Sequence, residues 1–304
     1  MLDDKIAPML AYAARPFDSP RHLFEIKWDG ARCLLFVKDG KLRLQNRRLD
    51  DITYRYPEMA SLPRKLKARN AILDGELVVL SQGRSVFAKL QQREQITDPL
   101  KIRLLSRRLP AAYVAFDLLY LNDREYLRVP LMERKRLLES IMGESPYLVE
   151  SRFILEKGRA FFKEAVAQGL EGIMAKALDS PYLIGVRSRH WLKIKPRGQA
   201  ECYIVGYREG RGARQGLVGS LGVATREAGT WRYRGRVGTG FSEADLAALT
   251  PRLQRLKTEA PVVPLTAPVK GMVWVRPELR CRVSFHEETA RGHFRAPVFE
   301  GMLE

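Results

Sequence analysis

The 304-residue sequence holds only three cysteines, no apolar run of membrane-spanning length, no internal repeat and no low-complexity tract. Each absence excludes something. Cys33, Cys202 and Cys281 lie far apart, an odd number cannot all pair, and none belongs to a CxxC or Cys/His spacing, so neither a disulfide framework nor a zinc site is written here. Reduced thiols in a cytosolic protein are the expectation. A bilayer span needs about 18 consecutive apolar residues, and the N-terminal MLDDKIAPML is acidic where a signal peptide is basic and then apolar. Membrane insertion and secretion are both disfavoured. A hydrophobic content of 45% is enough to fill real cores, and the length suits roughly two domains.

Acidic residues are also scarce: 35 Asp and Glu against 53 Lys and Arg leave a net charge of +18. Such a surplus points to a polyanionic partner, nucleic acid first, because each phosphate neutralised releases a counterion. A merely soluble basic surface is the alternative. The distribution favours the former, since between Pro181 and Gly240 twelve Lys/Arg stand against three Glu, a balance of +9. Half the surplus therefore sits in one-fifth of the chain.

The first two-thirds alternate short apolar runs with helical stretches. FEIKWDG followed by ARCLLFV, then AILDGELVVL, AAYVAFDLLYL, EGIMAK and HWLKIK read as strands or strand ends, while LMERKRLLESIM and GRAFFKEAVAQG carry helical apolar spacing with charged faces. Irregular strand separations and hairpin turns such as VKDGKLRL speak against a regular βαβ pattern. An α+β domain of antiparallel sheets packed with helices is expected over 1–196. After KPRGQ come short strands with Gly-rich turns, CYIVGY, GLVGSLGVAT and GTWRYRGRVG, then the helix EADLAALTPRLQRL and the stretch MVWVRPELRCRVSF. That pattern suggests a small β-barrel of the OB type over 197–304, a frequent nucleic-acid platform. Tyr203, Tyr207 and Trp231 are expected in its core or packing rather than as base-stacking platforms.

The chemistry begins at Glu25-Ile26-Lys27-Trp28-Asp29-Gly30-Ala31-Arg32, where a strand ends, a lysine follows and an Asp-Gly turn comes two residues later. A lysine becomes a nucleophile where cations and desolvation relieve its amine of the proton. Alone, a lysine beside such a turn is ordinarily a solvated hairpin residue. Four downstream segments change the odds. Leu73-Asp74-Gly75-Glu76-Leu77 and Ala115-Phe116-Asp117 put carboxylates in otherwise apolar strands, Glu171-Gly172-Ile173-Met174-Ala175-Lys176 adds another, and Trp191-Leu192-Lys193-Ile194-Lys195 places two lysines on one strand face. Charges inside apolar strands are costly unless paired or bound to metal and phosphate, so the set implies one shared polar cavity. Strand edges facing water would explain any one of these charges, but explain poorly all five segments, Glu25 to Arg32 included, in this order.

In this order EIKWDGAR, LDGELVVL, VAFDLLYL, EGIMAK and WLKIKP resemble motifs I, III, IIIa, IV and V of the covalent nucleotidyltransferases, which comprise DNA ligases, RNA ligases and mRNA capping enzymes. RGARQGLVGSLGVA and WVRPELRCRVSF resemble the OB domain of ATP-dependent DNA ligases, and nearly the whole chain resembles the ligase domain of the bacterial multifunctional end-joining ligase and its stand-alone relatives. The resemblance implies an ATP-dependent enzyme that seals 5′-phosphate/3′-hydroxyl nicks through a lysyl-AMP and a DNA-adenylate, in DNA repair and recombination by non-homologous end joining. It implies Lys27 as the residue attacking the α-phosphate of ATP. It places Arg32 and Arg47, the latter in LQNRRLD where the family shows a Ser-Arg-Asn-Gly-like sequence, on phosphates of nucleotide or nick, and Glu25 at the adenine edge. Glu76 is placed on the ribose or a metal, Phe116 and Met174 on the two faces of adenine, Glu171 on a metal, Lys193 and Lys195 on the α-phosphate, and Ile26 in the nucleotide pocket. Nucleotidyl transfer relies on positioning and charge neutralisation, and isolated carboxylates suit Mg²⁺ or Mn²⁺ on phosphates.

Nicked or broken double-stranded DNA is the implied partner, gripped by the basic segment from Arg187 to Arg236 with Arg47, Arg187, Arg189, Arg208, Arg211 and Arg214 as contacts. A monomeric, cytoplasmic protein at the bacterial nucleoid, associating with Ku and other end-joining proteins, completes that picture. One departure stands out. Relatives carry a C-terminal motif VI, an Arg-x-Asp-Lys-like sequence orienting pyrophosphate, whereas HFRAPVFEGMLE puts Leu303 where its arginine falls and lacks the Asp and Lys. Weak self-adenylation, substitution by a cation such as Arg295, and specialisation for later steps all fit. Motifs I to V alone also suit an RNA ligase or a capping guanylyltransferase, which GTP rather than ATP would label, or a nick-binding module without turnover.

Overall fold

In Ala31–Lys38, Cys33, Leu35 and Val37 enter one core with Leu44, Leu73, Tyr113 and Leu138, while Leu34 and Phe36 enter another with Ile72, Phe116, Leu119 and Trp191. Successive strand side chains point to opposite faces, so a run apolar at both parities is buried on both. Each fully buried large apolar side chain contributes about 1.5–3 kcal/mol relative to exposure. The computed structural model describes every residue except 82, 211, 266–268, 290 and 304. The chain divides into two compact units, Met1–Lys195 and Pro196–Glu304.

The first unit is α+β. One sheet runs in the order Leu148–Glu150, Ala112–Leu121, Asn70–Val78, Ala31–Lys38, Lys41–Asn46, with the short Arg124–Glu125 paired to Ala112–Leu121. The other runs Leu10–Ala13, Arg187–Ile194, Ile173–Ala177, Ser19–Ile26, Phe153–Glu156. Both are antiparallel through the middle, as expected, but each has a parallel pair at one edge: Leu148–Glu150 on Ala112–Leu121 and Leu10–Ala13 on Arg187–Ile194. The first parallel pair follows from the helix Leu131–Ile141, which carries the chain back between the strands it joins. VKDGKLRL is the hairpin expected, with Asp39 and Gly40 both at positive φ (47° and 78°). The helix Gly158–Ala167 packs Ala165 with Phe24, Ile173, Ala175 and Ile194 of the second sheet. The sheets face each other across the core that holds Phe116 and Trp191.

Two further helices, Phe87–Glu94 and Pro99–Arg108, were not read from the sequence. In the second, the Asp98 side chain accepts from the N–H groups of Leu100 and Lys101, with Pro99 in the first turn.

The second unit is an OB-type barrel built on the long strand Gly198–Glu209. Val218–Glu227 pairs along one side of it, while Arg280–Phe285 and then Val273–Val275 share the other. MVWVRPELRCRVSF is thus two strands, interrupted around Pro277, which has no N–H for a ladder. Thr230–Val237 extends one edge, Val298–Leu303 the other, and Phe299 N–H donates to Thr239 O at 2.9 Å. Leu303 therefore occupies a strand position opposite Arg280. The helix Glu243–Gln254 starts at a capping box of Ser242 and Asp245 and buries Leu246, Leu249 and Leu253 in the barrel core. Tyr207 is buried and Tyr203 stacks edge-on against Trp231 with centroids 4.9 Å apart, as packing residues do.

Candidate active site

Between the two sheets of the first unit lies a cavity of about 220 Å³ lined by Leu10, Ala11, Glu25, Ile26, Lys27, Trp28, Arg32, Arg47, Glu76, Phe116, Met174, Lys176, Arg187, Trp191 and Lys193. Nine of the residues singled out for the nucleotide, Glu25, Ile26, Lys27, Arg32, Arg47, Glu76, Phe116, Met174 and Lys193, thus meet in one place. Glu171 and Lys195 adjoin it through Lys27. The Lys27 Nζ donates to Glu171 Oε2 at 2.5 Å, and the other Glu171 oxygen pairs with Lys195 Nζ. Lys27 and Glu171 are each about one-fifth exposed, so this end of the cavity is open.

Glycines set Lys27 in place. Lys27 N–H donates to Gly172 O at 2.9 Å just past the end of Ser19–Ile26, tying motif I to motif IV. A Cβ on Gly30 would lie 2.2 Å from Leu77 O, and one on Gly172, whose φ is +138°, would lie 2.1 Å from Ile194 O. Both motifs thus need glycine for backbone approach. Arg47 stands in the turn after Lys41–Asn46, where Asn46 Oδ1 accepts from the N–H groups of Arg48 and Asp50 and Leu49 takes a φ of 70°.

Cations gather at the open end. Burial, followed by the neighbouring Arg187, Lys195, Lys27 and Arg47, pushes the Lys193 ammonium below its ordinary lysine value. Such a cluster is costly until anions enter it. Glu76 faces the same space, and burial pushes its carboxyl up to about 7 against the opposing pull of Arg32 and Lys27. Arg32 is held on Asp74 by two hydrogen bonds of 2.5 Å, with its guanidinium carbon 4.7 Å from the Phe116 centroid. Burial opposes its charge, but Asp74 outweighs that and raises its hold on the proton.

Not every strand carboxylate enters the cavity. Asp74 is fully buried, accepting from Arg32 and from Tyr182 Oη at 2.6 Å, and Asp117 is fully buried against Arg134, with two contacts of 2.8 Å. Their charges are matched inside the protein rather than offered to a ligand. Deep in the site Glu25 is 1% exposed, with Lys135 Nζ 2.7 Å from one carboxylate oxygen and Lys176 Nζ 2.7 Å from the other.

Lys176, Trp191, Trp28, Leu10 and Ala11 line the cavity without having been singled out. Lys176 and Trp191 were legible, being two residues along their strands from Met174 and Lys193 and hence on the same faces; the two pairs are direct cross-strand neighbours. Of the arginines expected on DNA, Arg47 and Arg187 line this cavity, and Arg189 lies 5.2 Å from the Tyr12 ring centroid. Arg208 and Arg214 line a separate open cleft of about 830 Å³ in the second unit, together with Arg236. Arg211 lies outside the described residues. Among the described residues no group of three or more His, Cys, Asp or Glu gathers as a metal cage, and no helix is long and apolar enough to cross a membrane.

Residues 5–195 match the family model described as the ATP dependent DNA ligase domain, and residues 214–304 match the one described as the ATP dependent DNA ligase C terminal region. The chain is 36% identical over 305 residues to the multifunctional non-homologous end joining DNA repair protein LigD of Mycobacterium tuberculosis, covering 98% of this chain and 38% of that protein. It is 34% identical over 309 residues to LigD of Pseudomonas aeruginosa, with 98% of this chain and 35% of that protein covered. It thus spans well under half the length of these relatives. Among solved structures it is similar to the ligase domain of M. tuberculosis LigD, with a TM-score of 0.59, 32% identity, and 99% of this chain and 96% of that one covered. It is also similar to a mycobacterial DNA ligase D complexed with ATP and MES, with a TM-score of 0.57 and 32% identity over the same shares.

Proposed function

The chain belongs to the ATP-dependent DNA ligase family, and from that premise we propose that it joins a 5′-phosphate to a 3′-hydroxyl at nicks in duplex DNA through AMP carried on Lys27. The observation carrying this reading is the Lys27 amine, held 2.5 Å from Glu171 at the cationic mouth of a cavity walled by Phe116 and Met174. In this reading Phe116 and Met174 take the two faces of a purine, Glu25 its exocyclic edge, and Lys27, Arg47, Arg187 and Lys193 the triphosphate, all of them lining the one cavity. The Lys27 amine must lose a proton before it attacks the α-phosphorus, and Glu171 Oε2 is the acceptor in reach. The new N–P bond forms as the bond to pyrophosphate breaks, in line, with Lys193 and Lys195 countering the growing charge. A 5′-phosphate oxygen of the nick next takes the AMP from Lys27, and the 3′-hydroxyl displaces AMP to close the strand.

Glu76 on the cavity wall and Glu171 beside Lys27 offer carboxylate oxygens that suit a hard divalent ion and leave coordination positions for phosphate. Mg²⁺ or Mn²⁺ held there would neutralise phosphate charge. Arg189, Arg208 and Arg214, with Arg236, are assigned to the DNA backbone, where phosphate contacts give affinity without sequence preference. The OB-type barrel supports the DNA-ligase reading over RNA ligation. A role in end joining, and association with Ku, rests on the LigD relatives. A duplex carrying one labelled 5′-phosphate nick tests the function: ATP should convert the labelled strand to full length, whereas sealing of nicked RNA only, or dependence on GTP, would overturn the assignment.

A further inference from the structure

The helix Leu131–Ile141 buries Leu131, Leu138 and Ile141, and on the same stripe it buries two cations, Arg134 and Lys135. Arg134 is accounted for by Asp117. Lys135 is 2% exposed, is absent from the cavity wall, and reaches Glu25 from behind: its Nζ lies 2.7 Å from Glu25 Oε1 and donates to Ser151 O at 2.8 Å. The second Glu25 oxygen meets Lys176, whose Nζ stands 4.2 Å from the Phe116 centroid and 4.3 Å from that of Trp191. Two buried ammonium groups on one carboxylate exceed what pairing requires, and burying a second cation is costly. Their joint effect is geometric and chemical. With a lysine Nζ 2.7 Å from each oxygen, the carboxylate is held in one orientation, and a carboxylate offers acceptors only.

We propose that Lys135 is a positioning residue for nucleobase choice: it fixes Glu25 as a rigid acceptor that receives the 6-amino edge of adenine and rejects the 6-oxo edge of guanine. This rests on the reading of the cavity as a nucleotide site with Glu25 at the base edge. Sites built to hydrogen-bond one edge discriminate strongly, because the wrong edge leaves buried polar groups unpaired. Lys135 does not touch the nucleotide and acts through Glu25.

The test is the rate of adduct formation on Lys27 with ATP and with GTP in Lys135→Met and in Lys135→Arg, thermal midpoints being recorded in parallel. Lys135→Met is expected to raise the KM for ATP at least tenfold with little change in maximal rate, and to narrow the ATP-over-GTP preference at least tenfold. Lys135→Arg keeps the buried positive charge beside Glu25 while moving its donors, so it keeps the test valid if Lys135→Met fails to fold, and it should narrow the ATP-over-GTP preference to a smaller degree. A purely structural lysine would slow both nucleotides equally and leave their ratio unchanged, and that result overturns the proposal. If the wild-type protein labels Lys27 with neither nucleotide, the underlying function fails instead, so the two failures are distinguishable.

Discussion

The two units handle charge in opposite ways. The first buries Glu25, Asp74, Arg93, Asp117, Arg134, Lys135 and Lys176, each against a named partner: Asp74 with Arg32, Arg93 with Glu58, Asp117 with Arg134, and Glu25 with both lysines. Among the described residues the second buries one charged side chain, Arg234, tied to Glu227 and Glu288, and leaves Arg208, Arg214 and Arg236 along an open cleft. Buried ions act at short range and are scarcely screened, whereas exposed ions act through a field that salt weakens within about 8 Å at physiological ionic strength. The first arrangement suits choosing and positioning a small nucleotide; the second suits holding a long polyanion in many registers.

Substitutions can break this contrast. Lys27→Ala should have the largest effect, complete loss of ATP-dependent nick sealing with an unaltered thermal midpoint, because Lys27 is partly exposed and its absence leaves no deeply buried orphan. Arg134→Met comes next. It strands the fully buried Asp117, and losing one partner of such a pair costs about 3–5 kcal/mol, visible as a large fall in the midpoint of thermal or denaturant unfolding.

The same pair sets an acid limit. Burial raises the pKa of Asp117, but Arg134 outweighs it and the net shift is downward. A carboxylate depressed in the fold contributes stability that is full above its unfolded value of about 3.9 and lost as pH falls through the lower folded value. Unfolding midpoints followed below pH 5 should therefore converge for wild type and Asp117→Asn as acid removes the contribution. A gap that stays constant with pH would place the pair's effect elsewhere.

In the second unit the expected effects are smaller and salt-dependent. Arg208→Ala and Arg214→Ala should each weaken binding to nicked duplex and lower the slope of log affinity against log salt by about one, with adduct formation on Lys27 untouched. Titrations at several salt concentrations measure this, and an unchanged slope would remove the cleft from the DNA contact. Smallest of all is Lys38→Met, whose exposed pair with Asp3 should leave the unfolding midpoint where it was.

Much of this contrast is legible in the sequence, and the parts that are not have physical reasons. Strands announce themselves through apolar runs, and the order of five motifs singles out Lys27 where its local sequence cannot. The helix Pro99–Arg108 is hard to see because its buried face is one residue, Ile102, although Asp98 followed by Pro99 is a sound start signal. Arg134 and Lys135 read as part of a solvated face, yet they stand three and four residues after the buried Leu131, which is the core side of a helix. Asp74 and Asp117 look like cavity carboxylates because sequence shows a charge without showing its partner. The parallel edge formed by Leu10–Ala13 depends on its meeting the distant Arg187–Ile194, and no local pattern encodes that.

The most direct measurement is the intact mass of the purified protein after incubation with ATP and Mg²⁺, followed by peptide mapping. The expected result is a gain of one AMP, located on Lys27 and absent from Lys27→Ala. No gain, or an adduct on any other residue, would contradict the assignment of this cavity.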